Sequence, residues 1–237
     1  MYVIIVGGGE VGYYLAKEFL EGGHEVLVME PESKQRERLE GQLGDITLCG
    51  EGCRIQCLDE AGVSRADVFV AATDTDEYNL AACQLAKLKY NVPRVVTKLN
   101  NPRNRNIFRK LGVEHTVDVA ALVLENLKAR IPAFPFVHLL SFEDESLEVV
   151  LVSVTEDSHL GDRVVAESPL SSLVESACLV RAGSAPQAVD DTTRLAVGDK
   201  LICVVAQDMI DKLRAEVGVW LGHRTSCRDG LPLPAAP

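Results

Sequence analysis

The chain has 237 residues, of which 47% are hydrophobic and 25% charged, and its formal net charge is −11. This composition is that of an ordinary globular protein, long enough for one large or two modest domains. The acidic excess disfavours non-specific binding to nucleic acid or to an anionic membrane surface, and the apolar runs are too short to span a bilayer. We therefore expect no nucleic-acid partner, and any membrane association would occur through another polypeptide.

The first thirty residues follow the order strand, glycine turn, helix, strand and acid. An apolar run over residues 3–6 leads into the turn, a helical pattern follows it, and a second apolar run over residues 26–29 ends on Glu30. Six residues form the glycine-rich segment. They are Gly7, Gly8, Gly9, Glu10, Val11 and Gly12. With a strand before it, a helix after it and an acid beyond it, this segment is typical of a dinucleotide-binding turn.

Each glycine of the pattern has a physical task. Gly7 permits the tight turn, Gly9 lets a pyrophosphate approach the backbone, and Gly12 lets the helix pack close to the strand. The free N–H groups at the positive end of the helix would then face the phosphates. Glu30 stands where a carboxylate can accept hydrogen bonds from ribose hydroxyls. Because it would repel a 2′-phosphate, NAD or an adenine nucleotide is favoured over NADP.

Helices and short apolar strands alternate over the next hundred residues. The predicted strands are residues 46–49, 66–72, 94–98 and 113–117, and the predicted helices are residues 31–41, 54–61, 76–90, 102–111 and 118–131. Such alternation implies parallel βαβ units. We therefore predict an α/β fold with a doubly wound parallel Rossmann sheet of six strands.

Polar residues or glycines stand at the carboxyl ends of five predicted strands. They are the turn at Gly7, Glu30, the turn at Gly50 and Glu51, the pair Thr73 and Asp74, and Lys98. Ligands of open α/β sheets bind outside the carboxyl ends of the strands, at the point where the strand order reverses. These residues are therefore candidates for one nucleotide-binding site.

A proline-containing break over residues 131–135 ends the alternation, so we predict that the first domain covers residues 1–132. Beyond it, the pattern predicts a smaller α+β domain over residues 138–220. Its predicted strands are residues 147–154, 177–181 and 201–206, with a short helical piece at 164–167 and a closing helix at 208–217. The tail, residues 224–237, is polar and then proline-rich, and we expect it to be disordered.

The chain offers no motif for metal binding. Its seven cysteines include no CxxC pair and no spacing typical of zinc ligands. We interpret them as small buried apolar residues in a reducing cytosol, and we expect no metal site.

Several segments, taken together, resemble one known family. They are VIIVGGGEVG with Glu30, CGEG, ADVFVAATDTDEYNLAACQLAK, RVVTKLNNPRN, IFRKLGV, DSHLGDRVV and LAVGDKLICVV. The chain resembles the RCK (KTN) family, the cytosolic nucleotide-binding regulatory subunits of Trk- and Ktr-type potassium uptake systems. The likeness covers about residues 1–218 and is much more specific than the glycine turn alone.

The resemblance implies roles for individual positions. The turn from Gly7 to Gly12 would hold the phosphates, and Glu30 the adenosine ribose. Thr73 and Asp74 would line the site at the end of the fourth strand. Lys98 stands where the family often has a basic residue near the phosphates.

Two positions depart from the family pattern. Glu10 occupies a position where relatives often have an amide or a basic residue, so that an anion would face the phosphates. After Gly50, Glu51 replaces the usual aspartate and is one methylene longer, which alters its reach rather than its chemistry.

The resemblance also implies a regulator rather than an enzyme. It would bind NAD or NADH, or ATP or ADP, and pair through its first domain into homodimers that assemble into a larger ring. The ring would act on an integral-membrane potassium channel or transporter subunit, which would hold the protein at the inner, cytoplasmic face of the cell membrane. Exchange of one nucleotide for another would change the conformation of the ring. This requires that a nucleotide binds the two conformations of the ring with unequal affinity.

Two alternatives remain at the level of sequence. The first is an NAD-dependent dehydrogenase, which would need an acid or base near the nicotinamide. Tyr13 and Lys17 have the Tyr-x-x-x-Lys spacing of such enzymes, but both fall in the first helix, where they would not reach the ring. The second is a DNA-binding repressor, against which the net charge and the lack of a basic helix-turn-helix argue.

Overall fold

The computed structural model of the protein describes residues 1–131, 133–142, 146–156, 158 and 160–217. The tail that we expect to be disordered, residues 224–237, lies outside the described residues, as do the last positions of the predicted second domain.

Contacts between residues divide the chain into two compact units. The amino-terminal unit is Met1–Val123, and the carboxy-terminal unit starts at Leu124. The division falls within a helix, Val119–Lys128. The boundary at residue 132 that the sequence suggests therefore stays a prediction.

The amino-terminal unit contains six strands and the helices between them. The strands are β1 (Tyr2–Val6), β2 (Glu25–Met29), β3 (Thr47–Leu48), β4 (Val68–Ala71), β5 (Arg94–Leu99) and β6 (His115–Asp118). The helices between them are α1 (Glu10–Glu21), α2 (Ser33–Leu43), α3 (Ile55–Glu60), α4 (Asp76–Gln84) and α5 (Arg105–Lys110). The helix α6 (Val119–Lys128) follows β6 and contains the division between the two units. All neighbouring strands pair in parallel, in the order β3-β2-β1-β4-β5-β6. The predicted doubly wound α/β sheet is confirmed, with its strand order reversing between β1 and β4.

The centre of this sheet is apolar on both faces. All five residues of β1 and all four of β4 are buried, as expected for parallel strands covered by helices on both sides. Because successive side chains point to opposite faces, Ile4 packs in one cluster with Phe69, whereas Ile5 packs in the other with Leu39. Burial of each large side chain contributes about 2–3 kcal/mol.

Two predicted helices of this unit differ in detail from the structure. The helix expected over residues 76–90 is α-helical only to Gln84 and continues as a π-helical turn, Leu85–Lys89. The helix expected over residues 102–111 begins with a 3₁₀ turn, Pro102–Asn104, before α5. The proline explains that start, because it fits the first turn of a helix but lacks an N–H group.

The carboxy-terminal unit is a smaller α+β structure, as predicted. Its strands are β7 (Phe136–Phe142), β8 (Leu147–Ser153), β9 (Ser176–Val180), β10 (Gln187–Ala188) and β11 (Lys200–Ala206), and its helices are α7 (Leu170–Leu173) and α8 (Ile210–Glu216). The strands form an antiparallel sheet in the order β10-β9-β11-β8-β7. Within the ranges that the structure describes, no helix of either unit is long and apolar enough to cross a membrane.

Strand β7 has no counterpart among the strands predicted from the sequence. The strand carries a register irregularity between His138 and Leu140, which interrupts the alternation of apolar and polar residues that identifies a strand. The pattern of the neighbouring β8 is regular, and that strand was predicted within one residue.

An ion pair between a buried carboxylate and a partly exposed arginine precedes strand β11. Asp199 is 2% exposed, and its two carboxylate oxygens accept hydrogen bonds from Nε and Nη2 of Arg181 at 2.7 and 2.6 Å. The N–H group of Ala196 also donates to Asp199 at 2.8 Å. The hydrogen bonds from Arg181 outweigh burial and lower the pKa of Asp199. With Gly198 at a φ of +94°, this aspartate fixes the turn before the strand.

Candidate functional site

A cavity of about 350 Å³ opens at the carboxyl edge of the parallel sheet. It is lined by residues that follow strands β1, β2, β3 and β4, and it lies beside the point where the strand order reverses. Seven of the twelve predicted site residues line it. They are Gly7, Gly9, Glu30, Gly50, Glu51, Thr73 and Asp74. Gly8, Glu10, Val11, Gly12 and Lys98 are not among the lining residues.

The turn after β1 is packed directly against helix α1. Gly7 has a φ of +104°, a backbone conformation that favours glycine. A Cβ atom on Gly12 would lie only 1.9 Å from the carbonyl oxygen of Gly7. Gly12 therefore lies under the turn, where the absence of a side chain lets the helix pack close to the strand. The neighbouring Val11 is exposed.

Gly9 differs from its neighbours because the space beside it is open. It is the residue before α1, with φ −65° and ψ −172°, and a Cβ atom there would meet no atom within 4 Å. Helix α1 has twelve residues, and its amino end presents unpaired N–H groups and a partial positive charge. The open space next to Gly9 is therefore suited to a phosphate group.

The carboxylate of Glu30 is held in place by the backbone. Oε2 accepts a hydrogen bond from the Gly8 N–H group at 2.7 Å, and Oε1 accepts one from the Glu32 N–H group at 2.9 Å. Glu30 is only 9% exposed. Each carboxylate oxygen has a second lone pair, so the group can still accept hydrogen bonds from a ligand. Gly8 thus orients Glu30 rather than lining the cavity itself.

Glu10 is engaged away from the cavity. Its Oε1 lies 2.7 Å from Nη2 of Arg38 on helix α2, and its side chain is 63% exposed. That this anion would face the phosphates stays a prediction; in the structure, the ion pair holds the carboxylate beside Arg38 of α2.

The turn after β3 runs against its neighbours so closely that only glycines fit. A Cβ atom on Gly52 would lie 2.5 Å from the methyl groups of Val6, and one on Gly50 would lie 2.8 Å from Cys57. Between them, Glu51 lines the cavity and accepts a hydrogen bond on Oε2 from Nε of Arg54 at 2.8 Å.

Lys98 and Asp74 form an ion pair at the rim. The Nζ atom of Lys98 lies 2.7 Å from Oδ1 of Asp74. The side chain of Lys98 is 12% exposed and that of Asp74 is 98% exposed. The lysine is therefore close to the cavity, but its charge is already paired.

Asn79 fixes the position of Thr73, although it is not among the residues predicted for the site. Its Oδ1 accepts hydrogen bonds from N and Oγ1 of Thr73 at 3.0 and 2.7 Å. Its Nδ2 donates to the carbonyl oxygens of Thr73 and Lys98, each at 3.1 Å. Asn79 is completely buried. In the sequence, Asn79 is marked only as a polar residue at an inward-facing position of α4, one turn before Cys83.

Asp76 organises the loop after β5 in the same way. Its Oδ1 accepts from the N–H group of Asn100 at 2.8 Å, and its Oδ2 accepts from the N–H group of Asn101 at 3.0 Å and from Nδ2 of Asn104 at 2.8 Å. Burial alone would raise the pKa of Asp76, but the hydrogen bonds from these asparagines outweigh it and lower the pKa.

Replacing Asp76 with asparagine should destabilise the amino-terminal unit by about 2–3 kcal/mol at neutral pH. The new amide nitrogen would face donors where a carboxylate oxygen now accepts. Because the pKa of Asp76 is lowered in the folded state, its stabilisation is present above the pKa of the unfolded chain and is lost as the pH falls through the folded pKa. Urea unfolding should therefore show a large difference between the two proteins at pH 7 that shrinks below about pH 4.

The exposed neighbour Asp74 provides the control for that measurement. Its side chain is 98% exposed, and the Asp74→Asn variant should lose less than about 1 kcal/mol. Equal losses for the two variants would contradict the role of Asp76.

Relatives in sequence cover most of the chain. The TrkA-N domain family matches residues 3–119. The Trk system potassium uptake protein TrkA homolog of Methanothermobacter thermautotrophicus is 36% identical over 172 residues, which are 71% of this chain and 78% of that protein. The TrkA protein of Mycobacterium tuberculosis is 26% identical over 216 residues, which are 90% of this chain and 96% of that protein. The Archaeoglobus fulgidus homolog is 30% identical, and the chain spans about half of its length, 52%.

Solved structures share the fold at low sequence identity. The GsuK channel bound to NAD superposes with a TM-score of 0.63 at 18% identity, over 92% of this chain and 39% of that chain. The TrkA-N domain of the inner membrane protein ybaL from Escherichia coli superposes with a TM-score of 0.51 at 14% identity, over 55% of this chain and 96% of that chain. These likenesses concern the fold.

Proposed function

This chain belongs to the family of Trk system potassium uptake proteins TrkA, and on that premise we propose that it is a nucleotide-binding regulatory subunit of a potassium uptake system. The nucleotide ligand is proposed from the cavity at the carboxyl edge of the sheet. The membrane partner is proposed from the family.

The ligand that we propose is NAD or NADH, with ATP and ADP as competitors for the same site. The observation that carries this part is the arrangement of Gly9 and Glu30 on one cavity. Gly9 leaves open space at the amino end of α1, where phosphates are bound favourably. Glu30 offers an oriented carboxylate at the end of β2, where a ribose would be held. The choice of ligands is motivated by two solved structures with this fold, the GsuK channel bound to NAD and GsuK bound to ADP.

The partner that we propose is an integral-membrane potassium channel or transporter subunit. Homodimers of this chain would assemble into a ring at the inner, cytoplasmic face of the membrane and be held there by that partner. Exposed large apolar side chains on α6, such as Leu124 and Leu127 at 50% and 55% exposure, support a covered face in an assembly. The nucleotide would act by binding one shape of the ring more tightly than another.

Replacing Glu30 with glutamine should weaken NAD⁺ binding by about tenfold and reduce the preference for NAD⁺ over NADP⁺. The amide would lose one acceptor for the ribose hydroxyls and would no longer repel a 2′-phosphate. Isothermal titration calorimetry of both dinucleotides measures both effects. The Glu37→Gln variant is the control, because Glu37 is an exposed residue of α2 that does not line the cavity. An unchanged affinity for NAD⁺ in the Glu30 variant would contradict the ribose contact.

A regulatory role predicts that bound nucleotide is recovered unchanged. Tyr13 and Lys17, the pair with dehydrogenase-like spacing, lie on α1 and are not among the residues that line the cavity. Incubating the protein with NADH and candidate metabolites and analysing the nucleotide by chromatography tests this directly. Sustained oxidation of NADH would favour the enzyme alternative.

A further inference from the structure

The strand order of the parallel sheet determines which part of a nucleotide each strand end would meet. Across the carboxyl edge the strands lie in the order β3-β2-β1-β4. Gly9 follows β1, Glu30 follows β2 and Gly52 follows β3, and all three residues line the cavity. A nucleotide with its phosphates beside Gly9 and its ribose on Glu30 would therefore direct its base away from the switch point. The base would lie toward the end of β3 and the start of α2.

Gln35 lines the cavity from helix α2. It belongs to the first turn of that helix, which begins at Ser33, and it is partly buried. One turn further along, Leu39 is 1% exposed, and its Cδ1 atom would lie 2.8 Å from a Cβ atom on Gly8. Because residues four positions apart share a face of a helix, Gln35 projects from the side of α2 that faces the turn after β1.

The side-chain amide of Gln35 is available to a ligand. Within the part of the chain that the structure describes, it forms no hydrogen bond with a protein group, and no buried side-chain nitrogen or oxygen atom lacks a partner. The amide is therefore both unpaired and accessible. The neighbouring carboxylates differ in this respect, because Glu30 accepts from the backbone N–H group of Gly8 and Glu51 accepts from Arg54.

A glutamine amide has the hydrogen-bonding groups that match the edge of an adenine base. Its oxygen accepts and its NH₂ group donates. Adenine presents an amino donor beside a ring-nitrogen acceptor, and a side-chain amide can form two parallel hydrogen bonds with such a pair. A carboxylate has acceptors only, so that it could bind the amino group but not the ring nitrogen.

We propose that Gln35 recognises the adenine base of the bound nucleotide. Its Oε1 atom accepts a hydrogen bond from the amino group of the base, and its Nε2 atom donates one to the neighbouring ring nitrogen. This role of Gln35 rests on the proposed nucleotide site and adds a specificity-determining residue to it. It applies equally to NAD, NADH, ADP and ATP, because all four carry the same base.

The experiment compares NAD⁺ with its etheno derivative in calorimetric titrations of the full chain. In this derivative a bridge of two carbon atoms joins N1 and N6 of the adenine, so that the amino group can no longer donate, while the net charge is unchanged. We expect the original protein to bind NAD⁺ about five- to tenfold more tightly than the derivative. A hydrogen bond between neutral groups changes affinity by about two- to tenfold.

Two variants remove the amide in different ways. Gln35→Ala removes the side chain beyond Cβ, whereas Gln35→Met keeps a side chain of similar length without the amide, and both new residues are good helix formers. Each variant should bind NAD⁺ about five- to tenfold more weakly and the derivative with nearly unchanged affinity. Gln42→Ala is the matched control, because Gln42 is an exposed glutamine of the same helix that does not line the cavity. Its ratio of the two affinities should equal that of the original protein.

Three results would overturn the role of Gln35. The first is equal binding of NAD⁺ and the derivative by the original protein, and the second is a ratio in either Gln35 variant that matches that of Gln42→Ala. The third is a loss by the same factor for both ligands, because it would assign Gln35 a purely structural role. Failure of NAD⁺ to bind the original protein would be a different result, since it would overturn the proposed function and the base contact with it.

Discussion

Replacement of Gly12 with alanine is expected to destabilise the amino-terminal unit by about 3 kcal/mol or more. The added methyl group would lie 1.9 Å from the carbonyl oxygen of Gly7, a backbone atom that cannot rotate away. Either α1 must move off the sheet or the turn after β1 must change shape. Urea or thermal unfolding of the full chain, followed by circular dichroism, measures the loss.

A second helical glycine provides the control for Gly12. Gly41 lies inside α2, and a Cβ atom there would meet no atom within 4 Å. Since glycine is a poorer helix former than alanine, Gly41→Ala should leave stability unchanged or raise it by up to about 1 kcal/mol. If Gly12→Ala were as stable as Gly41→Ala, the close packing of α1 on the turn would be refuted.

The position of Gly12 also shows what the sequence alone could determine. The spacing of three glycines between a buried strand and an amphipathic helix predicts a close approach of helix to strand, and the structure has that approach. The two central strands follow from local patterns in the same way, because β1 and β4 are uninterrupted apolar runs.

Contacts between distant segments could not be predicted in this way. The pairing of Glu10 with Arg38 depends on the rotational phase of α2 against α1, and the pairing of Lys98 with Asp74 depends on how two strand ends lie side by side. Neither pairing is determined by the type of the residue or by its neighbours in the sequence. The assignment of Lys98 to the phosphates stays a prediction; in the structure, its Nζ atom pairs with Asp74 at the rim.

The buried polar residues behind the cavity were missed for a related reason. Asn79 and Asp76 carry no motif, and each acts by bonding to backbone groups of a strand end or loop that is far away in sequence. Their effect is to fix the loop after β4, which carries Thr73, and the loop after β5, the strand that carries Lys98. Residues that support a site need only hydrogen-bonding capacity and burial, so sequence patterns identify them less well than residues that contact a ligand.

Replacement of Gly9 with valine is expected to weaken adenine nucleotide binding by at least about a hundredfold while the protein stays folded. The backbone angles at Gly9, φ −65° and ψ −172°, are open to any residue, and the side chain would enter the open space at the amino end of α1. It would occupy the volume that a pyrophosphate needs and would cover the N–H groups that should receive it. The cost in stability should be limited to about 1 kcal/mol, from the loss of a glycine before the helix.

The contrast between Gly9 and Gly12 separates binding from folding within one turn. Gly9→Val should unfold close to the original temperature but show no stabilisation by NAD⁺ in a thermal-shift titration, since a ligand raises the transition only when it binds the folded state. Gly9→Ala should give an intermediate loss of affinity, because its methyl group fills less of the space. A folded Gly9→Val protein with undiminished affinity for NAD⁺ would mean that the phosphates lie elsewhere. In that case, the open space beside Gly9 would have no part in recognition.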